Sequence, residues 1–280
     1  MIHIGTVHFR FDYWIDIQLK YLNRFIDVPY RTYAFLTEIQ KDNRNKFDFA
    51  TNEWIREHDR KLNLLADIMC SHAEDKDIII FIDGDAFPIQ PLFPYIQEMV
   101  DKHQLVAVQR LDNLGDIQPH PCFCAIKASF WREIDGDWHN GYSWINSHGV
   151  SVTDTGASML QKMEEHKINW YPMVRSNTKD LHPLLFGVYD NLIYHHGAGF
   201  RDAVLRVDNP FLNPAREVNF IKRCLELLPN KFGGYRLKTM LHEDFKELER
   251  IKKANGELIR GFLKKIETNE NFFEELIDIK

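Results

Sequence analysis

Two carboxylates one residue apart, Asp83 and Asp85, end a run of five apolar residues, Ile78 to Ile82, in the segment IIIFIDGDAFPIQPL. Acids separated by one small residue share a divalent cation, directly or through water, and their hard oxygen atoms suit Mg2+ or Mn2+. The natural cargo of such a cation is a diphosphate, whose two negative groups it bridges. Asp-Gly is also ordinary turn chemistry. What favours the metal is the strand before it. A strand apolar at every position is covered on both faces, as in a parallel sheet flanked by helices. Open sheets of that kind bind ligands at the carboxyl ends of their strands, and Gly84 leaves room there for a bulky group.

The elements that must position these acids alternate. IHIGTV reads as a first strand, IDIQLKYLNRF as a helix and YRTYAFL as a second strand. A polar loop, KDNRNKFDFATNE, follows. EWIREHDRKLNLLADIMCSHA then places Leu62, Leu65, Ile68 and Met69 on one helical face. LVAVQRL, from Leu105 to Leu111, and CFCAIK are further strands; DTGASMLQKMEEH is helical, and INWYPM is strand-like. Strand and helix in alternation predict an α/β fold with a mostly parallel sheet flanked by helices. From about Asn219 the pattern is helical only. Leu241, Phe245, Leu248, Ile251, Leu258, Phe262 and Ile266 recur at helical steps, interrupted by Gly256 and Gly261. The expected organisation is one domain over residues 1–210 and a helical C-terminal extension over 211–280. Such a stripe packs on its own domain, joins a homodimer through the C-terminal helices, or, with its lysines, lies on an anionic membrane surface.

Composition narrows the classes. Of 280 residues, 44% are hydrophobic and 27% charged, which predicts a packed core. The formal net charge of −6 does not suit a nucleic-acid partner. Four cysteines, Cys70, Cys122, Cys124 and Cys224, match neither a zinc signature nor a disulfide framework. Cys122 and Cys124 are expected on one face of a strand, as buried thiols, which fits a reducing cytoplasm. The first residues do not read as a signal peptide, and no apolar run has the length of a membrane span.

The segment Ile78–Leu92 resembles the DxD region of GT-A glycosyltransferases, the Rossmann-like enzymes that use nucleotide sugars. That family has an apolar strand before the motif and an extended stretch after it, here carrying Pro88 and Pro91. Other parts agree in order. By resemblance, Thr6, His8 and Arg10 lie on the nucleotide-contacting first strand, and Arg60, Lys61 or Asn63 on the helix before the motif touch the nucleotide. The segment NLIYHHGAGFR is similar to the family's late metal-ligating histidine with its glycines and basic residue. His196, Gly199 and Arg201 match best. His195 is the alternative, because adjacent strand residues face opposite ways. Asp154, in VTDTGASML, stands where inverting members carry the acid that deprotonates the acceptor; Asp is equally a preferred helix N-cap, and Asp112, Asp116 and Asp137 compete for the role. Trp138, Tyr142 and Trp144 are sugar platforms or core anchors. A second DGD, Asp135 to Asp137, has no apolar strand before it and reads as a turn.

The resemblance implies a metal-dependent glycosyltransferase taking a nucleotide diphosphate sugar to a glycan, lipid-linked or protein acceptor. Asp83, Asp85 and His196 or His195 would hold Mn2+ or Mg2+, with Arg201 near the phosphates. The cysteines and the first residues predict a cytoplasmic protein, and the basic helical stripe leaves open one peripheral to a membrane. Two alternatives are a nucleotidyltransferase that makes nucleotide sugars, though GTVHFRFDYW lacks its Gly-rich loop, and a non-catalytic nucleotide-sugar binder.

Overall fold

The computed structural model describes residues 1–113, 115–147, 149–205, 227, 234–241 and 243–277. Cys224, Asp278, the expected boundary at residues 210 and 211, and the start of the helical pattern at Asn219 lie outside the described residues. The chain forms two compact units. The first comprises Met1–His182, Phe186–Phe200 and Phe273–Lys280, and the second Pro183–Leu185 and Arg201–Phe272.

The first unit is built on a seven-stranded sheet. Its strands are β1 (Ile2–Phe9), β2 (Tyr30–Thr37), β3 (Phe49–Thr51), β4 (Ile78–Asp83), β6 (Leu105–Val108), β7 (His120–Lys127) and β10 (Tyr171–Met173). They stand in the order β10-β6-β7-β4-β1-β2-β3. β1 pairs in parallel with β2 and β4, β2 with β3, and β6 with β10. β7 runs antiparallel to both of its neighbours, β4 and β6. The sheet is therefore mostly parallel and flanked by helices, as the alternation predicts. The chief helices are α1 (Tyr13–Phe25), α2 (His58–His72), α3 (Tyr95–His103) and α5 (Ala157–Glu165), with a short α4 (Ala128–Glu133) after β7. The polar loop after β2 contains a 3-10 turn, Lys41–Lys46, and β3.

Both faces of the sheet are buried. Ile79 and Phe81 of β4 join Leu62, Leu65 and Met69 of α2 on one side; Ile78, Ile80 and Ile82 join Leu22, Ile96 and Val100 on the other. This is the physical meaning of an apolar residue at every position of β4. The expectation for the cysteines is corrected. Cys124 packs on the α2 side and Cys122 on the opposite side. The register of β6 against β7 shifts between Ala107 and Val108, and an irregularity of this kind breaks the period-2 alternation. The strand predicted to reach Leu111 ends at Val108.

A small sheet, β11-β12-β5, sits beside the end of β4. It consists of β5 (Ala86–Pro88), β11 (Gly187–Tyr189) and β12 (Ile193–His195), all antiparallel. A two-stranded ribbon, β8 (Trp144–Ile145) with β9 (Ser151–Val152), precedes α5. The chain also returns to the first unit after the helical segment. Phe273, Leu276 and Ile277 are buried, the Phe273 ring meets Phe25 at 6.2 Å, and the Thr178 N–H donates to the Leu276 carbonyl at 2.9 Å.

The second unit contains α6 (Gly234–Leu241) and α7 (Glu243–Thr268). α7 runs unbroken through Gly256 and Gly261. Phe245, Leu248, Phe262 and Ile266 of the predicted stripe are buried, whereas Leu258 is exposed. Asn255 donates to the Ala203 carbonyl and Lys252 pairs with Asp202. No helix among the described residues is long and apolar enough to cross a membrane.

Candidate metal and active site

The site grows from the end of β4. Asp83 is the last residue of that strand and lies opposite Val7 of β1. Asp85 precedes β5, and Ala86 of β5 pairs with His195 of β12. The small sheet thus carries His195 onto the two acids. Its Nε2 lies 3.7 Å from Asp83 Oδ2 and 3.5 Å from Asp85 Oδ1. Donor atoms of Asp83, Asp85 and His195 all fall within 4.8 Å of one another. Donors on one Mg2+-sized ion, at about 2.1 Å each, stand up to about 4.2 Å apart. The two histidine distances meet that limit, and two carboxylates with one imidazole suit Mn2+ or Mg2+.

Of the two adjacent histidines, His195 faces the acids. His196 turns away: its Nδ1 lies 2.9 Å from the Tyr194 hydroxyl, and its ring packs 4.6 Å from Trp14 and 5.3 Å from Phe186. Burial pulls the His196 pKa down to about 4, despite the Asp85 charge. His196 contributes its backbone instead, donating its N–H to the Asp85 carbonyl at 3.0 Å.

Asp85 is buried, 3% exposed, not a solvated strand-end acid. Burial alone would raise its pKa, but His195, His196 and the Gly199 N–H outweigh that and hold it at about 2. The Gly199 N–H donates to Asp85 Oδ2 at 2.9 Å. A side chain at 199 would place its Cβ 2.6 Å from that oxygen, so only glycine fits. Gly84 is required for a similar reason: a Cβ there would meet His8 Nδ1 and the Val7 carbonyl, each at 2.7 Å.

Sequence reading missed Gln18. This residue of α1 is wholly buried; its amide donates to the carbonyls of Asp83 at 2.7 Å and Ala86 at 2.8 Å. Its Oε1 is therefore the acceptor toward His8 Nε2, 3.1 Å away. That fixes the neutral His8 with its proton on Nε2 and its bare Nδ1 over Gly84. Burial lowers the His8 pKa to about 4, consistent with the neutral form. The one available signal was a polar residue on the buried face of an amphipathic helix. His58, at the start of α2, was missed as well; its Nε2 lies 3.4 Å from Asp83 Oδ1.

The remaining predicted residues divide. Lys61 is buried beside the Phe9 ring. Arg10 adopts a positive φ of 64° and pairs with Glu38 at 3.0 Å. Thr6 is buried within β1, and Arg60 is exposed. Asn63 is engaged elsewhere: it donates to Asp137 and accepts from the Trp138 N–H, fastening the second DGD turn. Arg201 belongs to the second unit and donates to the Asp202 carbonyl. Trp138 packs edge-on against Phe81 at 5.0 Å, and Trp144 packs with Ala157 and Leu160. Both are core anchors. Tyr142 donates to Glu164.

Asp154 does not cap α5. The N-cap is Gly156, with φ 94°, and Asp154 stands two residues earlier, half exposed, with Oδ2 3.8 Å from Arg110 Nη2. Arg110 also holds Asp116 at 3.0 Å. Among the described residues, its Nε and both amide atoms of the buried Gln118 have no hydrogen-bond partner. Burial raises the Cys122 pKa, against the opposing effects of His195 and Arg110. Asp112, one of the competing acids, is taken up by Arg175 at 2.6 Å.

No family model and no curated protein matches this chain. Among solved structures, the chain is similar to the mannosyltransferase PcManGT from Pyrobaculum calidifontis in complex with GDP-Man and Mn2+. The TM-score is 0.41 and the identity 11%, over 64% of this chain and 57% of that one. It is similar to the galactosyltransferase LgtC with donor and acceptor sugar analogs at TM-score 0.37 and 12% identity, over 62% of this chain and 73% of the other. Similarity to TarS of S. aureus has TM-score 0.36 and 10% identity over 49% of this chain, which spans only 30% of TarS. These likenesses are partial, and what the site can do follows from its own residues.

Proposed function

We propose that this protein is a metal-dependent glycosyltransferase that moves a sugar from a nucleotide diphosphate sugar to an acceptor hydroxyl. The observation that carries the reading is the convergence of Asp83, Asp85 and His195 at the carboxyl end of β4. That is where a parallel sheet binds ligands, and the donor set is one that holds a diphosphate-bridging cation. The order of motifs, shared with GT-A glycosyltransferases, supports the same reading.

Asp85, His195 and Asp83 would hold Mn2+ or Mg2+. When bound, the cation supplies Lewis-acid stabilisation of the departing diphosphate. The chain's own residues do the rest. Gln18 pins the two carbonyls that flank the acids, and the Gly199 N–H aims Asp85, so the carboxylates are held before any ligand arrives. Asp154 takes the proton of the acceptor hydroxyl as it attacks the anomeric carbon from the opposite face, giving inversion. Arg110, with Nη2 3.8 Å from Asp154 Oδ2, faces that carboxylate.

The test is release of nucleoside diphosphate from UDP-, GDP- and dTDP-sugars in Mn2+. Turnover abolished by chelation and by Asp85→Asn is expected; no release from any of them overturns the reading. Asp154→Asn should retain donor binding and lose about a hundredfold in transfer. Full transfer by that variant removes Asp154 from the role.

A further inference from the structure

Four large apolar side chains stand in solvent near the carboxyl end of the sheet. Leu111 is 51% exposed, Ile145 65%, Val174 44% and Leu181 63%. Val174 directly follows β10, and Leu111 lies just beyond the end of β6. β10 is parallel to β6, and β7 is antiparallel to both β6 and β4. β6 and β10 therefore end where Asp83 ends β4. Ile145 belongs to the ribbon that leads into Asp154.

These side chains come from segments that touch. A Cβ at Gly115 would meet the Ser147 nitrogen at 3.1 Å, so the chain after β6 abuts the ribbon. Arg175 joins the remaining segments, donating to Asp112 Oδ2 at 2.6 Å and to the His182 carbonyl at 2.8 Å. Arg110, next to Leu111, lies 3.0 Å from Asp116 and 3.8 Å from Asp154. The arginines of this rim thus face its own acids, while its large aliphatic side chains are left uncovered. Exposed apolar residues scattered singly are ordinary, but a contiguous group marks a place of binding.

Charge and position together define the occupant. Residues 110–116, 144–154 and 174–182 hold four carboxylates and three lysine or arginine side chains. That balance attracts neither an anionic membrane surface nor a phosphate-linked lipid. The rim also begins at Asp154, through Arg110 and Leu111. What covers it is therefore joined to the molecule whose hydroxyl meets Asp154.

We propose that the acceptor is a neutral amphiphile: a sugar or other alcohol carrying an apolar aglycone that lies on Leu111, Ile145, Val174 and Leu181. This assignment rests on the glycosyltransferase reading and names the acceptor class for it.

The test uses octyl and methyl β-glucoside, which share a sugar and differ in the aglycone, with the octyl compound below its micelle concentration. Each is titrated into the full chain in Mg2+ and followed by methyl NMR. The octyl glucoside should bind at least about tenfold more tightly, the effect of burying roughly a quarter of its seven additional methylenes. Resonances of Leu111, Ile145, Val174 and Leu181 should shift, and those of Leu258, which is as exposed as Leu111, should not. Leu111→Ser combined with Ile145→Ser should remove the affinity gap and leave the melting temperature unchanged. Equal affinities for the two glucosides, a gap that survives in that variant, or equal shifts at Leu258 would overturn the proposal. So would rim resonances that move when the protein alone is diluted, since a second copy would then be the occupant. Nucleoside diphosphate release without rim binding rejects this inference and leaves the proposed function standing. Rim binding with no release from any donor rejects both.

Discussion

His195 and His196 are consecutive, and their side chains do different work: the first turns Nε2 to Asp83 and Asp85, the second packs its ring between Trp14 and Phe186. The pairing of His195 with Ala86 sets this, because it places β12 beside the chain leaving Asp85. His195→Ala should abolish Mn2+ binding, measured by calorimetry, with a small change in melting temperature. His196→Ala should leave a cation site and cost stability, about 2 kcal/mol or more from lost packing. The opposite pattern would exchange the roles.

Asp85 offers a similar separation of function from fold. Asp85→Ala removes the acceptor for the Gly199 N–H as well as a ligand, so unfolding free energy should fall by about 1–3 kcal/mol. Asp85→Asn retains an acceptor oxygen. It should unfold close to the unaltered protein in urea while losing metal-dependent turnover.

Gln18→Glu is the sharpest test of the clamp under the acids. A carboxylate cannot donate to the carbonyls of Asp83 and Ala86, and two buried acceptors would then face a negative charge. The expected loss is about 2 kcal/mol or more, with Mn2+ affinity reduced. Normal stability would show that the turn holds its shape without Gln18.

Stability should also fall on mild acidification. His8 and His196 have folded pKa values of about 4, both from burial, against an ordinary 6.5, and burial lowers His3 too. Below 6.5 the unfolded chain binds protons that the folded chain does not. The stabilisation is complete above pH 6.5 and drains away as the pH falls toward 4. Each of the two lower groups contributes on the order of 3 kcal/mol across that window. Urea unfolding between pH 7 and pH 4, in chelator, measures the slope, and His196→Phe should reduce it by one group's share. A flat profile would contradict the neutral assignment.

Much of this was legible in the residues alone. An apolar run from Ile78 to Ile82 ending on two acids specifies a two-sided strand and where its ligand must come, and Asp83 and Asp85 are found there. Other features depend on partners that a local pattern does not contain. Period-2 alternation puts His195 and His196 on opposite faces without saying which face meets the acids. A short apolar strand reads the same in either direction, so the antiparallel run of β7 is invisible, as is the irregularity that separates Cys122 from Cys124. Gln18 looks like an interruption of a helical stripe until the carbonyls beneath it are seen.

The reversed direction of β7 has a consequence for how this protein can vary. β6 ends and β7 begins at the same end of the sheet, so residues 109–113 and 115–119 between them lie at that end, with the acids at the end of β4. A parallel connection would have had to carry the chain back to the other end. Insertions or deletions in this stretch can reshape the rim beside the acids while every ladder of the sheet keeps its register. The strand that breaks the parallel order gives the cleft an adjustable wall on an unchanging frame.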